Sequence, residues 1–164
     1  MKRHAITGII MVSLIAVVAV GCATGSRSEK IGSGDVVADR QRLMKLNGAS
    51  WADAQAKMKA GNVEAIAVNA ETMALNSEHI PMLFPEGSLT EKSKAKPEIW
   101  QKRDEFDSAA KNMGQWAAKL RDTARTKDAA ATEAIVKDFG RQACGTCHTP
   151  FRVPPPQQPA PPRS

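Results

Sequence analysis

From residue 35 onward, apolar residues return at steps of three and four, the repeat of a helix with one buried face. Val36, Arg40, Leu43, Met44, Asn47, Trp51, Ala54 and Met58 form the first stripe, with Asp35 placed ahead of it as a cap. Gly61-Asn62 interrupts the pattern. Val63, Ile66, Ala67, Ala70, Met73 and Ala74 make a second stripe that ends near Asn76. The third has the best register: Pro97 at a first helical position, then Ile99, Arg103, Phe106, Ala110, Met113, Ala117 and Leu120. A fourth begins at Thr126 or Asp128 and runs through Ala131, Ala134, Ile135, Asp138, Phe139, Gln142 and Ala143. No stretch alternates as a strand does. Residues 77–97, with Pro81, Pro85, Gly87 and Pro97, form a long crossing between the second and third helices. Each striped helix must bury its face against others, which predicts an all-α protein built as a four-helix bundle.

The two ends follow other patterns. Met1–His4 is basic, and residues 5–21 carry no charge, which reads as an export signal. The stretch closes on Ala19-Val20-Gly21-Cys22, which resembles a bacterial lipobox with Ala19 where Leu is usual. Lipidation would account for an otherwise odd cysteine in an exported chain. Simple secretion or an uncleaved anchor are the alternatives, and all three put the rest of the chain outside the cytoplasm. The expected division is a signal at 1–21, a flexible linker at 22–34, the helical domain at 35–152 and a proline-rich tail at 153–164, whose prolines exclude helix.

Composition adds a constraint. The chain has four Phe, three Trp and no Tyr, so the helices alone supply few large side chains for a core. The formal charge of +6 falls to +4 without residues 1–21, which hold Lys2 and Arg3. Basic residues alternate with acidic ones, and no basic and aromatic stripe suited to nucleic acid is present.

The candidate chemistry lies in Cys144-Gly145-Thr146-Cys147-His148. C-x-x-C-H marks covalent attachment of c-type haem. The two thiols bond the porphyrin, and the adjacent imidazole meets the iron. A structural zinc site wants four ligands, and here Cys144, Cys147 and His148 supply three, with His79 the one remaining candidate. A redox dithiol belongs beside a βαβ unit, which the pattern lacks. A flat apolar cofactor would also supply the bulk that the sparse aromatics do not.

The motif stands late in the chain, and three further marks precede it. These are Arg40-Gln41-x-Leu43-Met44-Lys45, then Leu83-Phe84-Pro85-Glu86-Gly87, then Ala95-Lys96-Pro97-Glu98-Ile99-Trp100 followed by Phe106. With Cys144–His148 and Phe151-Arg152 after them, they resemble the class II c-type cytochromes, the cytochrome c-prime and cytochrome c-556 family, over about residues 36–152. The resemblance implies an antiparallel four-helix bundle with one covalently attached haem c. It makes His148 the proximal ligand and places Met44 over the other face of the iron, where a Met either ligates, as in c-556-like members, or only packs, as in c-prime-like ones. It places Arg40 one turn before Met44, near a haem propionate or the pocket mouth. Arg141 and Arg152 flank the motif and meet propionates or a partner.

The function expected from this reading is single-electron transfer in the periplasm by a low-spin His/Met haem, with a lipid anchor at Cys22 and periplasmic or membrane redox partners. The alternative is distal-face binding of nitric oxide or carbon monoxide by a high-spin haem. Leu43, Met44 and Asn47 form a poor set of acid–base groups, so no enzymatic activity is expected. The family also suggests a homodimer. Met58, Met73 and Met113 read as core filler.

Overall fold

The computed structural model describes residues 33–155. The signal, Cys22 and most of the proline-rich tail lie outside the described residues.

Helix α1 spans Val36–Lys59. Its start is fixed by Asp35, whose carboxylate accepts the free N–H groups of Val37 and Ala38, each at 3.0 Å. It ends where Gly61 takes φ +74°, a left-handed turn that glycine adopts at little cost. Helix α2, Ile66–His79, runs antiparallel to the hairpin partner it has just left and extends one turn past the expected end. The crossing opens with a 3₁₀ turn at Pro81–Leu83. The helix expected from Pro97 is split: α3 covers Glu98–Gln101 with Pro97 as its cap, and α4 covers Arg103–Arg125. The break is at Lys102 (φ −125°, ψ 51°) and lets α3 lean on the chain's last helix while α4 runs along α2.

The last helical run is continuous from Ala129 to Phe151: α5 (Ala129–Phe139), a π-helical segment (Gly140–Gly145) and α6 (Thr146–Phe151). Asp128 caps it by accepting the Ala131 N–H at 2.9 Å. Its buried face keeps Ile135, Phe139 and Ala143 of the predicted stripe and departs from the rest. Ala131, Ala134 and Asp138 are exposed, and Thr132, Ile135, Phe139, Ala143 and Phe151 are buried. Thr132 tolerates full burial because its hydroxyl donates to the Asp128 carbonyl at 2.6 Å. From Ile135 to Phe151 the inward positions, counting Cys147, recur every four residues. In a plain α-helix each such step drifts about 40°, so the stripe would leave the core within a few turns. The wider π turn absorbs that drift and holds Cys147 and Phe151 on the face set by Phe139.

The core is rich in alanine. Ala54, Ile66, Ala70, Met73, Phe106, Ala110, Ala117, Leu120 and Phe139 form its centre. Small side chains let α2 and α4 approach closely, and a Cβ built at Gly114 would overlap the Ser77 hydroxyl. Trp51 stacks on Phe139 with ring centroids 4.6 Å apart, which pins α1 to α5. Met73 and Met113 are buried in this core, and Met58 packs against it. The four long helical segments make a four-helix bundle. The one strand-like feature among the described residues is an antiparallel bridge between Ala95 and Arg152. It carries Lys96 N–H to Phe151 O at 3.0 Å and Val153 N–H to Lys94 O at 2.8 Å. Among the described residues, no helix is long and apolar enough to cross a membrane.

Candidate functional site

That bridge closes one side of a cavity of about 450 Å³ at one end of the bundle. Helix α1 contributes Val37, Arg40, Gln41, Met44 and Lys45. The crossing and the start of α3 and α4 contribute Phe84, Ser93, Lys94, Ala95, Ile99 and Phe106. The chain's end contributes Cys147, His148, Phe151 and Arg152. Phe106 packs edge-on against Phe84 (4.8 Å) and Phe151 (5.4 Å), which gives the cavity an aromatic wall. The volume lies in the range of organic-cofactor sites, about 300–1,000 Å³.

The structure therefore gathers Met44, Arg40, Cys147 and His148 around one space, from segments about a hundred residues apart. Cys144 sits one turn earlier on the same helical run, half-buried against the core. Both thiols are free. Burial raises the Cys144 pKa, and burial plus the neighbouring Cys144 pushes Cys147 up to about 11. His148 keeps one edge in solvent but lines the cavity, and burial followed by the Arg152 charge lowers its pKa. At neutral pH these positions hold protonated thiols and a neutral imidazole. A neutral ring nitrogen is the form that binds a metal. Apolar walls, two thiols at attachment spacing, an imidazole beside them and a thioether on the facing helix together fit a covalently held, metal-bearing planar cofactor.

Arg40 lines this cavity, yet its guanidinium is turned into the crossing. Its Nε donates to Leu83 O, one Nη donates to Ser88 O at 3.1 Å, and the other donates to the Ser88 hydroxyl. The guanidinium carbon lies 4.1 Å from the Phe84 ring centre. Arg40 is 5% exposed, and burial lowers its pKa while Asp35 partly offsets that. A second arginine, Arg103, donates to Phe84 O and Pro81 O, both at 2.9 Å. The Trp100 indole N–H donates to Pro85 O at 2.9 Å. Sequence reasoning missed this clamp. The available signal was the crossing itself, because a packed segment without regular structure leaves carbonyls that need donors. Arg141 lies outside the cavity, paired with Asp138 at 2.9 Å. His79 is exposed on α2, also outside it, with its ring 3.0 Å from Leu75 O.

A family model described as Cytochrome C' matches residues 35–152. The chain belongs to the cytochrome c' family. It is 42% identical over 82 residues to cytochrome c-554 of Cereibacter sphaeroides, a match spanning 48% of this chain and about half (52%) of that protein. It is 32% identical over 120 residues to cytochrome c-556 of Agrobacterium tumefaciens, covering 71% of this chain and 96% of the relative. Among solved structures, it resembles a nitric oxide complex of a variant cytochrome c prime from Alcaligenes xylosoxidans, with TM-score 0.65 and 23% identity over 74% of this chain and 96% of that one. Cytochrome c' proteins carry covalently attached haem c, and Cys144 and Cys147 stand in the motif that attaches it. Homologues in this family form dimers.

Proposed function

We propose that this cytochrome c' family member carries single electrons in the periplasm, with haem c bonded to Cys144 and Cys147 and its iron held between His148 and Met44. When bound, the group supplies a one-electron iron couple. The observation that carries the reading is that Met44 on α1 and His148 on α6 line one cavity from opposite elements. A thioether opposite an imidazole is the ligand pair that favours the reduced metal. Phe84, Ile99, Phe106 and Phe151 exclude water and offer few dipoles to reorient when the local charge changes. Attachment through two thioethers would hold His148 in place, and the π-segment sets the face on which it stands.

The visible spectrum tests the ligand set. With Met44 bound, the ferrous protein shows sharp α and β bands, and carbon monoxide binds slowly. Met44→Ala then opens a position, and uptake of carbon monoxide becomes rapid. A broad high-spin spectrum in the unmutated protein, with rapid uptake, would instead support gas binding. That second reading draws on the apolar walls, since a neutral diatomic enters such a pocket without the desolvation that an anion suffers. It also draws on the nitric oxide complex of the similarly folded protein from Alcaligenes xylosoxidans.

The reading includes export and a lipid anchor at Cys22, which stands at the end of the apolar stretch. Intact-mass analysis of the protein from its native membrane fraction checks this. A chain beginning at Cys22 with added acyl mass is the expected species, and an unmodified chain beginning elsewhere removes the anchor.

A further inference from the structure

Four cations line the cavity and no carboxylate does: Arg40, Lys45, Lys94 and Arg152. Arg40 is turned inward, as described above. The other three are exposed at the mouth, Lys45 on α1 and Lys94 and Arg152 on the two sides of the Ala95–Arg152 bridge. The ion pairs among the described residues lie elsewhere, as in Lys57–Asp53, Arg103–Asp107, Arg121–Glu71 and Lys137–Glu133. No ion pair among the described residues engages Lys45, Lys94 or Arg152. The backbone hydrogen bonds of the bridge fix the relative positions of Lys94 and Arg152. Beside them Val153 is 45% exposed. The mouth is thus a cationic rim without a side-chain carboxylate, with two of its cations on the bridged backbone and an apolar residue beside them.

We infer that this rim is the docking surface for an acidic face of a redox partner protein. The inference rests on the electron-carrier reading. Like charges gathered around one opening repel each other, less whatever a bound cofactor's own carboxylates offset, and an acidic face relieves the remainder on contact. Such complementarity steers encounter and sets orientation. It brings the partner to exposed residues that line the cavity, where the path for the electron is short. A charged rim around an apolar residue also matches the polar border and apolar centre of protein interfaces. An anionic lipid surface would satisfy the same charges but accepts no electron.

The test uses the full-length, haem-loaded ferrous protein and two oxidants, plastocyanin as an acidic protein and tris(phenanthroline)cobalt(III) as a small cation. Stopped-flow rates are read from low to high salt, and the reading is the ratio of the two rates. The expected ratio of plastocyanin to cobalt falls about tenfold or more as salt screens the rim. In Lys45→Glu/Lys94→Glu it falls about tenfold at low salt, and in Lys45→Gln/Lys94→Gln by a smaller factor in the same direction. A ratio indifferent to salt and to both variants overturns the inference while leaving electron transfer intact. So does a rim that serves only the cofactor's own carboxylates, which would appear as a shifted reduction potential with the salt dependence unchanged. Loss of binding to phosphatidylglycerol vesicles in the variants, with the ratio unchanged, overturns it in favour of a membrane surface. Failure of both oxidants to react, with a high-spin ferrous spectrum, removes the electron-carrier reading and the docking inference with it.

Discussion

Arg40 is a buried cation whose partners are neutral oxygens: two carbonyls and two hydroxyls of the crossing. Hydrogen bonds to a charged group contribute about 1.5–3 kcal/mol each, less what desolvation removes. The forked geometry matters, because a lysine ammonium offers no planar set of donors and does not stack on Phe84 in the same way. Arg40→Lys is therefore expected to destabilise the fold by about 1–3 kcal/mol despite keeping the charge. A urea titration checks this, together with the rate of proteolytic cleavage within residues 86–94, which should rise. Unchanged midpoint and cleavage would mean that the crossing is held by Arg103 and Trp100 alone. At this scale the sequence was legible where chemistry is local. Cys144, Cys147 and His148 announce themselves by spacing within five positions. Arg40 was singled out by its place one turn before Met44; it lines the cavity with its guanidinium turned into the crossing. Its partners were not legible, because backbone carbonyls more than forty residues away have no signature in residue type.

At the scale of elements, periodicity and caps carried most of the information. Asp35 and Asp128 start their helices as expected, since a short carboxylate beside free N–H groups is a local matter. The face of the last helix was read correctly at Ile135, Phe139 and Ala143 and wrongly at Ala131, Ala134 and Asp138, with Thr132 missed. Alanine fits both an exposed and a buried position, so Ala131 and Ala134 gave no decisive signal, whereas Thr132 concealed its suitability for burial by satisfying its own hydroxyl. The four-residue spacing from Ile135 to Phe151 was present in the sequence and marked the π-segment. The split between α3 and α4 was not legible, because Lys102 is compatible with a continuous helix. The approach of α2 to α4 rests on Gly114, whose missing side chain makes room for Ser77. Gly114→Ala is expected to cost about 1–3 kcal/mol through overpacking, against the small gain alanine brings to a helix interior. Adding Ser77→Ala should return most of it, because the next atom, Ser77 Cβ, would lie at an ordinary 3.5 Å. Thermal or denaturant unfolding of the two single variants and the double variant measures this coupling. Additive losses would show that the helices separate by another route.

The whole molecule is an arrangement in which three distant stretches meet at one end of a bundle. The class of fold was legible, because four amphipathic helices have few ways to bury their faces. The meeting point was legible only through resemblance, since nothing in the local pattern tells Met44 that it lies across a cavity from His148. The rim was not legible at all. Its charges are scattered among acidic neighbours along the chain, and they gather only because Ala95 and Arg152 pair across fifty-seven positions without any strand pattern on either side.

The π-segment has a meaning in the history of such a chain as well as in its shape. A helix widened over one turn is what remains when a residue has been inserted and the parts before and after it have kept their faces. With one residue fewer between Phe139 and Ala143, an unbroken α-helix would bring Cys147 to within about 20° of Phe139, and Phe151 to about the same angle on the other side. Gly140–Gly145 is therefore a place where the lineage can gain or lose a single residue while its haem motif stays aimed at the cavity. In the regular turns of α4, the same change would rotate every later side chain by about 100°, and Phe106 and Leu120 could no longer share a core. A one-residue change of length is thus absorbed at the bulge, immediately ahead of the motif whose aim it preserves.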